Sequence, residues 1–462
     1  MIEFVQMLDG SESTPLYLQL YQKIRQAIQF GTLNSQEKLP GKRSLAEQLG
    51  ISVNTVDTAY QLLVAEGYLE SKPRSGFYVA QVEHINPITT YNTLSKEPIP
   101  TQWKFNLSTN GIDSSLFPFK IWGRIQKELL YSNPQLLVAG MGQGDFELRQ
   151  ALAQHLQQYR GVVCSPHQII VGAGIEYLFG LLVPLLGQSI GIENPGYPQV
   201  KQVIHNGGSK SIAVLVDKKG LSVEELQKTT AQSVYVTPSH QFPTGVTMPV
   251  GRRTELLNWA YQQPNRMIIE DDYDSEFRFQ LRPLPSLQGM DKGNRVVYIS
   301  TFSKSLAPSI RIACMVLPDS LREKWNQRYN GYACTVSRFE QQTLARFIQE
   351  GYFSRHLSRL RNQYRKRMEL FYHELKARWG NRIKITAQHT GLHFLVEVVN
   401  KNEKELVKAA KSQGIYLTEL EQYNLFSPKK ERNAILIGYG SLTESQIPLA
   451  AQALQQAWKG LL

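Results

Sequence analysis

Cysteine is scarce in this chain. Cys164, Cys314 and Cys334 are three in 462 residues, too few and too far apart for a disulfide framework or a paired-thiolate metal site. Long apolar runs are missing too. The longest, from about Tyr177 to Leu186, falls short of a bilayer span and is broken by Gly180 and Pro184. The opening residues Met1-Ile2-Glu3-Phe4 carry neither the basic nor the apolar segment of a secretory leader. There is no internal repeat and no low-complexity tract, which excludes solenoid and fibrous classes. These absences predict a cytoplasmic protein without a bound metal.

What is present is ordinary for a globular protein: 42% hydrophobic, 10% aromatic and 19% charged residues. The length predicts two or three domains. The net charge of +12 suggests an anionic partner, but residues 1–80 hold seven Lys and Arg against eight Asp and Glu. The excess lies later, most densely in Arg355, Arg359, Arg361, Arg365, Lys366, Arg367, Lys376 and Arg378. At helical spacing that run reads as a solvated face or as a phosphate-facing patch.

Leu16, Leu20, Ile24 and Ile28 recur every fourth residue and describe one helical stripe, with Pro15 in the first turn and Gly31 as the stop. A short helix is expected from Lys42 to Gln48. After Gly50-Ile51, Ser52 suits an N-cap for a third helix from Val53 to about Glu66. Tyr68–Ser71 and Gly76–Val79 then read as two strands joined at a tip, Lys72-Pro73-Arg74-Ser75. This is the order of a winged helix-turn-helix over residues 1–80. Residues 81–104, polar and punctuated by Pro87, Pro98 and Pro100, read as a linker.

A helix that enters the major groove meets base edges with its N-terminal residues. Asn54 can read adenine there, while Ser52 and Thr55 suit phosphate or either base. Lys42 and Arg43 open the preceding helix, where cations grip backbone phosphates, and Arg74 can reach a minor groove. The segments Lys38-Leu39-Pro40-Gly41-Lys42-Arg43-Ser44-Leu45-Ala46, Val53-Asn54-Thr55-Val56 and Ala65-Glu66-Gly67-Tyr68-Leu69 resemble the GntR family of bacterial regulators. The resemblance implies a double-stranded DNA operator. Gly41 departs from it, because the family usually has a phosphate-contacting serine there.

From residue 105 to 462, apolar strands alternate with longer helices: Gln168–Val171, Ser189–Ile192, Val234–Val236, Met267–Ile269 and Val296–Ile299. Their fully apolar character predicts an α/β domain with a mostly parallel central sheet. Lys304 follows one such strand within Ser300-Thr301-Phe302-Ser303-Lys304-Ser305-Leu306-Ala307-Pro308-Ser309-Ile310-Arg311. An amine among hydroxyls, with a guanidinium seven residues on, suits a phosphorylated aldehyde. Three further segments give that pattern weight. Gly172-Ala173-Gly174-Ile175-Glu176 opens a helix, a place for phosphate. A carboxylate in Ile268–Asp274 can bind a protonated pyridine nitrogen, and a nearby tyrosine hydroxyl a phenolic oxygen. Tyr197 in Glu193–Tyr197 can stack on a ring.

Together these segments resemble fold-type I enzymes that use pyridoxal 5'-phosphate (PLP), the aspartate aminotransferase class. Joined to the winged helix, they resemble the MocR/GabR subfamily of GntR regulators. The resemblance covers residues 14–80 and 105–460. It implies that Lys304 binds PLP covalently, that Asp271, Tyr273 and Tyr197 surround the ring, and that Arg311, Thr301 or Ser303, and the Gly174 and Ile175 amides hold the phosphate. It also implies a head-to-tail homodimer and a small-molecule effector, PLP or an amine. Phe242 stands where aminotransferases place an asparagine, and the strand around Ile435–Leu442 has no cation for a substrate carboxylate. In the GABA-responsive branch two arginines grip that carboxylate, at positions held here by Gln199 and Ser441, and Leu436 fills the aminotransferase position. The expectation is therefore a sensor with at most partial transamination. The alternatives are an active aminotransferase with an accessory DNA-binding domain and a GntR-type regulator with a cofactor-free pocket.

Overall fold

The first helix spans Leu16–Gln29 and buries Leu20, Ile24 and Ile28 as the four-residue stripe requires. The computed structural model describes residues 8, 14–81, 103–279, 284–387, 391–398, 402–426 and 434–462, and the chain divides into two compact units, Met1–Thr101 and Gln102–Leu462. In the first unit, helices Lys42–Leu49 and Val53–Ala65 follow, with Gly50 in the left-handed conformation between them. Ser52 caps the third helix by accepting from the Thr55 amide at 3.1 Å. Strands Leu69–Lys72 and Gly76–Val79 pair antiparallel, and Arg74 turns the tip at φ 60°. Tyr60 and Leu63, fully buried, join the third helix to the core. Truncating Leu63 to Ala would cost about 2–5 kcal/mol.

The expected linker lies, apart from its ends, outside the described residues. Its last residues are packed rather than free: the Lys104 amide donates to the Gly414 carbonyl at 2.8 Å, and the Trp103 ring packs at a tilt against Tyr416.

The second unit is built on an eight-stranded sheet in the order 169–172, 313–316, 296–301, 267–272, 233–236, 189–194, 210–217, 220–221. The five strands from 296–301 to 210–217 are mutually parallel, while 313–316 and 220–221 run against their neighbours. Val297 and Ile299 enter one core cluster, and Tyr298, between them, enters another. The sheet therefore packs apolar material on both faces, which is why its strands read as uninterrupted apolar runs. A four-stranded antiparallel sheet, 383–386, 393–398, 434–438 and 418–419, lies nearer the C-terminus. The carboxyl ends of the parallel strands 189–194, 233–236, 267–272 and 296–301 converge, and at such ends α/β sheets bind ligands.

Candidate functional site

Past those strand ends lies a cavity of about 300 Å³. The 189–194 strand supplies Tyr197, the 267–272 strand Asp271 and Tyr273, and the 296–301 strand Thr301, Ser303 and Lys304. Ile175 and Arg311 line it as well, so eight of the nine residues expected to hold a cofactor share one wall system. The ninth, Gly174, lies behind Arg311: a Cβ there would stand 2.3 Å from Arg311 Nη2. The Gly174 amide donates to Gly172 O at 2.9 Å within its own turn. Gly174 also clears space for the Arg311 guanidinium.

Lys304 is half-buried, and its ammonium donates to the Thr109 carbonyl at 2.6 Å. Burial pulls its pKa down to about 8, and the Asp274 carboxylate only partly offsets this. Asp271 shows the mirror effect: burial pushes its pKa up to about 8 although Tyr235 donates to Oδ2. The other oxygen, Oδ1, is buried and has no hydrogen-bond partner. Such a group costs stability unless a donor reaches it.

The neighbours of Asp271 serve the interior. Glu270 accepts from the amides of Leu287 and Gln288 at 2.8 Å, and Asp272 pairs with Arg160 at 2.6 Å. The Tyr273 hydroxyl lies 3.0 Å from His240 Nδ1, which the Asp274 carboxylate approaches to 2.8 Å. Gly391 allows that packing, since a Cβ there would fall 2.1 Å from His240 Cε1.

Sequence reasoning missed Thr109, Asn110, Glu176, Thr237, Asp274 and His393 as lining residues. Glu176 and Asp274 lie inside the quoted motifs and were within reach. Asn110 and His393 come from distant segments with no local signal. His393 donates through Nε2 to Pro243 O at 3.1 Å, and burial lowers its pKa to about 3, which keeps the imidazole neutral. Phe242 packs edge-on against Tyr197, Tyr273 and Tyr423, and Leu436 completes this apolar cluster. Gln199 is exposed, and Ser441 donates to Asn106 O at 2.7 Å. Neither lines the cavity.

On the first unit, Ser52, Asn54, Arg43 and Arg74 are exposed. Thr55 is half-buried, with its hydroxyl 2.9 Å from Ser52 Oγ. The Lys42 ammonium pairs with Asp57 of the third helix and lies 5.1 Å from the Phe77 ring centroid. The basic run on the Tyr352–Trp379 helix is likewise partly internal: Arg367 is buried on Asp113, Arg361 caps Glu276 O, and Arg378 pairs with Glu374. Arg355, Arg359, Arg365 and Lys366 remain exposed.

The profile of bacterial regulatory proteins of the gntR family matches residues 16–79, and that of aminotransferase class I and II matches residues 103–454. The HTH-type transcriptional regulator YdeL of Bacillus subtilis is 37% identical over 99% of this chain and 100% of its own length. The probable rhizopine catabolism regulatory protein MocR of Rhizobium meliloti is 32% identical, covering 98% of this chain and 96% of its own. The chain belongs to the MocR-type regulators. Another relative of this MocR-type chain is the pyridoxine biosynthesis transcriptional regulator PdxR of Corynebacterium glutamicum, 30% identical over 95% of each chain. Among solved structures, a kynurenine aminotransferase from Pyrococcus horikoshii superimposes with a TM-score of 0.69 at 23% identity, over 79% of this chain and 92% of that one. That likeness establishes the fold of the larger unit of the MocR-type chain. No helix among the described residues is long and apolar enough to cross a membrane.

Proposed function

We propose that this MocR-type chain is a cytoplasmic regulator that reads duplex DNA with residues 14–80 and senses PLP, or an amine reacting with it, with residues 105–462. The observation that carries the cofactor reading is the pairing, across one cavity, of an amine of lowered pKa with a buried carboxylate oxygen that has no donor. PLP supplies an aldehyde for the amine, a ring nitrogen for the acid and an electron-sink ring between them. Lys304 holds the group covalently, Asp271 faces the ring nitrogen, and Tyr273 faces the phenolic oxygen with its hydroxyl steadied by His240. Tyr197 flanks the ring. Arg311, Thr301, Ser303 and the Ile175 amide receive the phosphate.

Sensing rather than turnover follows from the cluster of Phe242, Leu436 and Tyr423, which offers no cation where a substrate carboxylate would need one. A carboxylate left without such a contact forgoes roughly 1.5–3 kcal/mol. PLP itself, detected by occupancy, needs no further recognition residue and is the favoured effector. DNA is read by Asn54 with Arg43 and Arg74, and Ser52 and Thr55 support the helix start. Exposed Leu137, Val138, Met141 and Tyr332 call for a covering surface, which we assign to a second copy of the chain.

The experiment is a titration of the cofactor-stripped chain with PLP while operator affinity is measured. Affinity that changes with PLP alone supports the reading. An affinity indifferent to PLP but responsive to GABA rejects PLP as the effector.

A further inference from the structure

Arg311 already has an anion of its own. Its Nη2 lies 3.1 Å from Glu176 Oε2, and Tyr197 donates its hydroxyl to Glu176 Oε1 at 3.2 Å. Glu176 stands in the first turn of the Ile175–Leu182 helix, where the peptide dipoles favour negative charge. All three side chains line the cavity. The guanidinium is a feature a phosphate monoester would seek, and it is already engaged by a carboxylate of the chain. The arrangement is built in rather than incidental. Arg311 holds a left-handed backbone at φ 53°, uncommon outside glycine, and Gly174 clears the space that its guanidinium fills.

We propose that Glu176 is an internal competitor of the cofactor phosphate, a residue that sets affinity by lowering it. The proposal rests on the reading that the cavity takes PLP. A bound phosphate monoester carries a charge of about −1.5 to −2. It must share Arg311 with a carboxylate a few ångströms away, and like charges at that range oppose each other even under solvent screening. An aminotransferase profits from holding its cofactor permanently. A sensor that reports occupancy needs a site that fills and empties as the cofactor concentration changes, and Glu176 supplies that reversibility without altering the contacts to the ring.

The test compares the full chain with its Glu176→Gln variant, in which the amide oxygen can still accept from Arg311 and the NH2 can donate to the Tyr197 hydroxyl, but no charge remains. Each is stripped of cofactor and titrated with PLP and with pyridoxal, which lacks the phosphate, and binding is followed by visible absorbance. The expected result is PLP binding tighter by about three- to tenfold in the variant, the effect of one like charge at intermediate dielectric, with pyridoxal binding unchanged. Inorganic phosphate should also compete with PLP more strongly in the variant. Unchanged or weaker PLP binding overturns the proposal, as does equal tightening toward both ligands, which would locate the effect at the ring. If neither protein binds PLP at all, the cofactor reading falls and takes this proposal with it. Glu176→Ala, tested for retained helicity, is the second variant and should move PLP affinity in the same direction.

Discussion

Lys304 donates to the Thr109 carbonyl at 2.6 Å across 195 residues of sequence, fastening the loop after one central strand to the segment that opens the larger unit. The contact holds the amine in place, and burial leaves it half neutral near pH 8, where an ordinary lysine is almost wholly charged. The neutral amine is the form that attacks an aldehyde. The rate at which stripped protein captures pyridoxal should therefore rise with pH and reach half its maximum near pH 8. A midpoint above 10 would show an ordinary surface amine. Lys304→Ala should lose the visible absorbance band of the bound cofactor altogether.

Asp271 gives a pH dependence of opposite origin. Its folded pKa of about 8 lies above the ordinary 3.8, so the native state keeps a proton that the unfolded chain has released. Its contribution is full below pH about 4 and is lost as pH rises through 8. The stripped protein should lose thermal stability between these limits, and Asp271→Asn should flatten that slope. PLP should flatten it as well in the parent chain, by giving Oδ1 a charged donor. A slope identical in the parent and Asp271→Asn proteins would exclude Asp271 as its source.

Arg43 and Asn54 are both exposed, but they should fail differently. Arg43→Ala should weaken all duplexes and reduce the salt dependence by about one unit of slope. Asn54→Ala should relax preference at one base pair, at about 1–3 kcal/mol. Lys42→Ala should behave unlike either. With its ammonium on Asp57, its removal should cost about 0–1 kcal/mol of domain stability and leave the salt slope nearly untouched. Electrophoretic mobility titrations at several salt concentrations separate the three.

Gly41 is the N-cap of the second helix, adopts an extended backbone and makes no side-chain cap. A Cβ there meets nothing within 4 Å. Gly41→Ser should therefore be accommodated, stabilise the helix by a few tenths of a kcal/mol and raise affinity for specific and random DNA alike through one added phosphate contact. Unchanged affinity for both would show that the serine hydroxyl finds no phosphate there.

The parts of the site legible in sequence were those carried by short segments. Lys304, Asp271 and Tyr197 each sit just beyond an apolar run, so strand end and chemistry could be read together. The apolar run ends at Ile269, yet the strand continues through Asp272, because Arg160, more than a hundred residues away, neutralises that acid in the interior. The same blindness to distant partners hid the commitment of Lys42 to Asp57 and of Arg311 to Glu176. Gly174 reads in sequence as a phosphate-loop glycine, and the space it leaves for the Arg311 guanidinium is a second use that spacing alone does not show.

Glu270, Asp271 and Asp272 are three consecutive acids whose side chains alternate, the outer two toward protein partners and the middle one toward the cavity. Which of them meets a ligand is a matter of parity. A slip of one residue against the 296–301 strand would turn Asp271 toward Arg160 and bring two acids into the cavity in place of one. It would also strand the Leu287 and Gln288 amides. The run therefore works as a register lock: this strand has a single setting in which Glu270 and Asp272 both meet their protein partners while Asp271 faces the cavity.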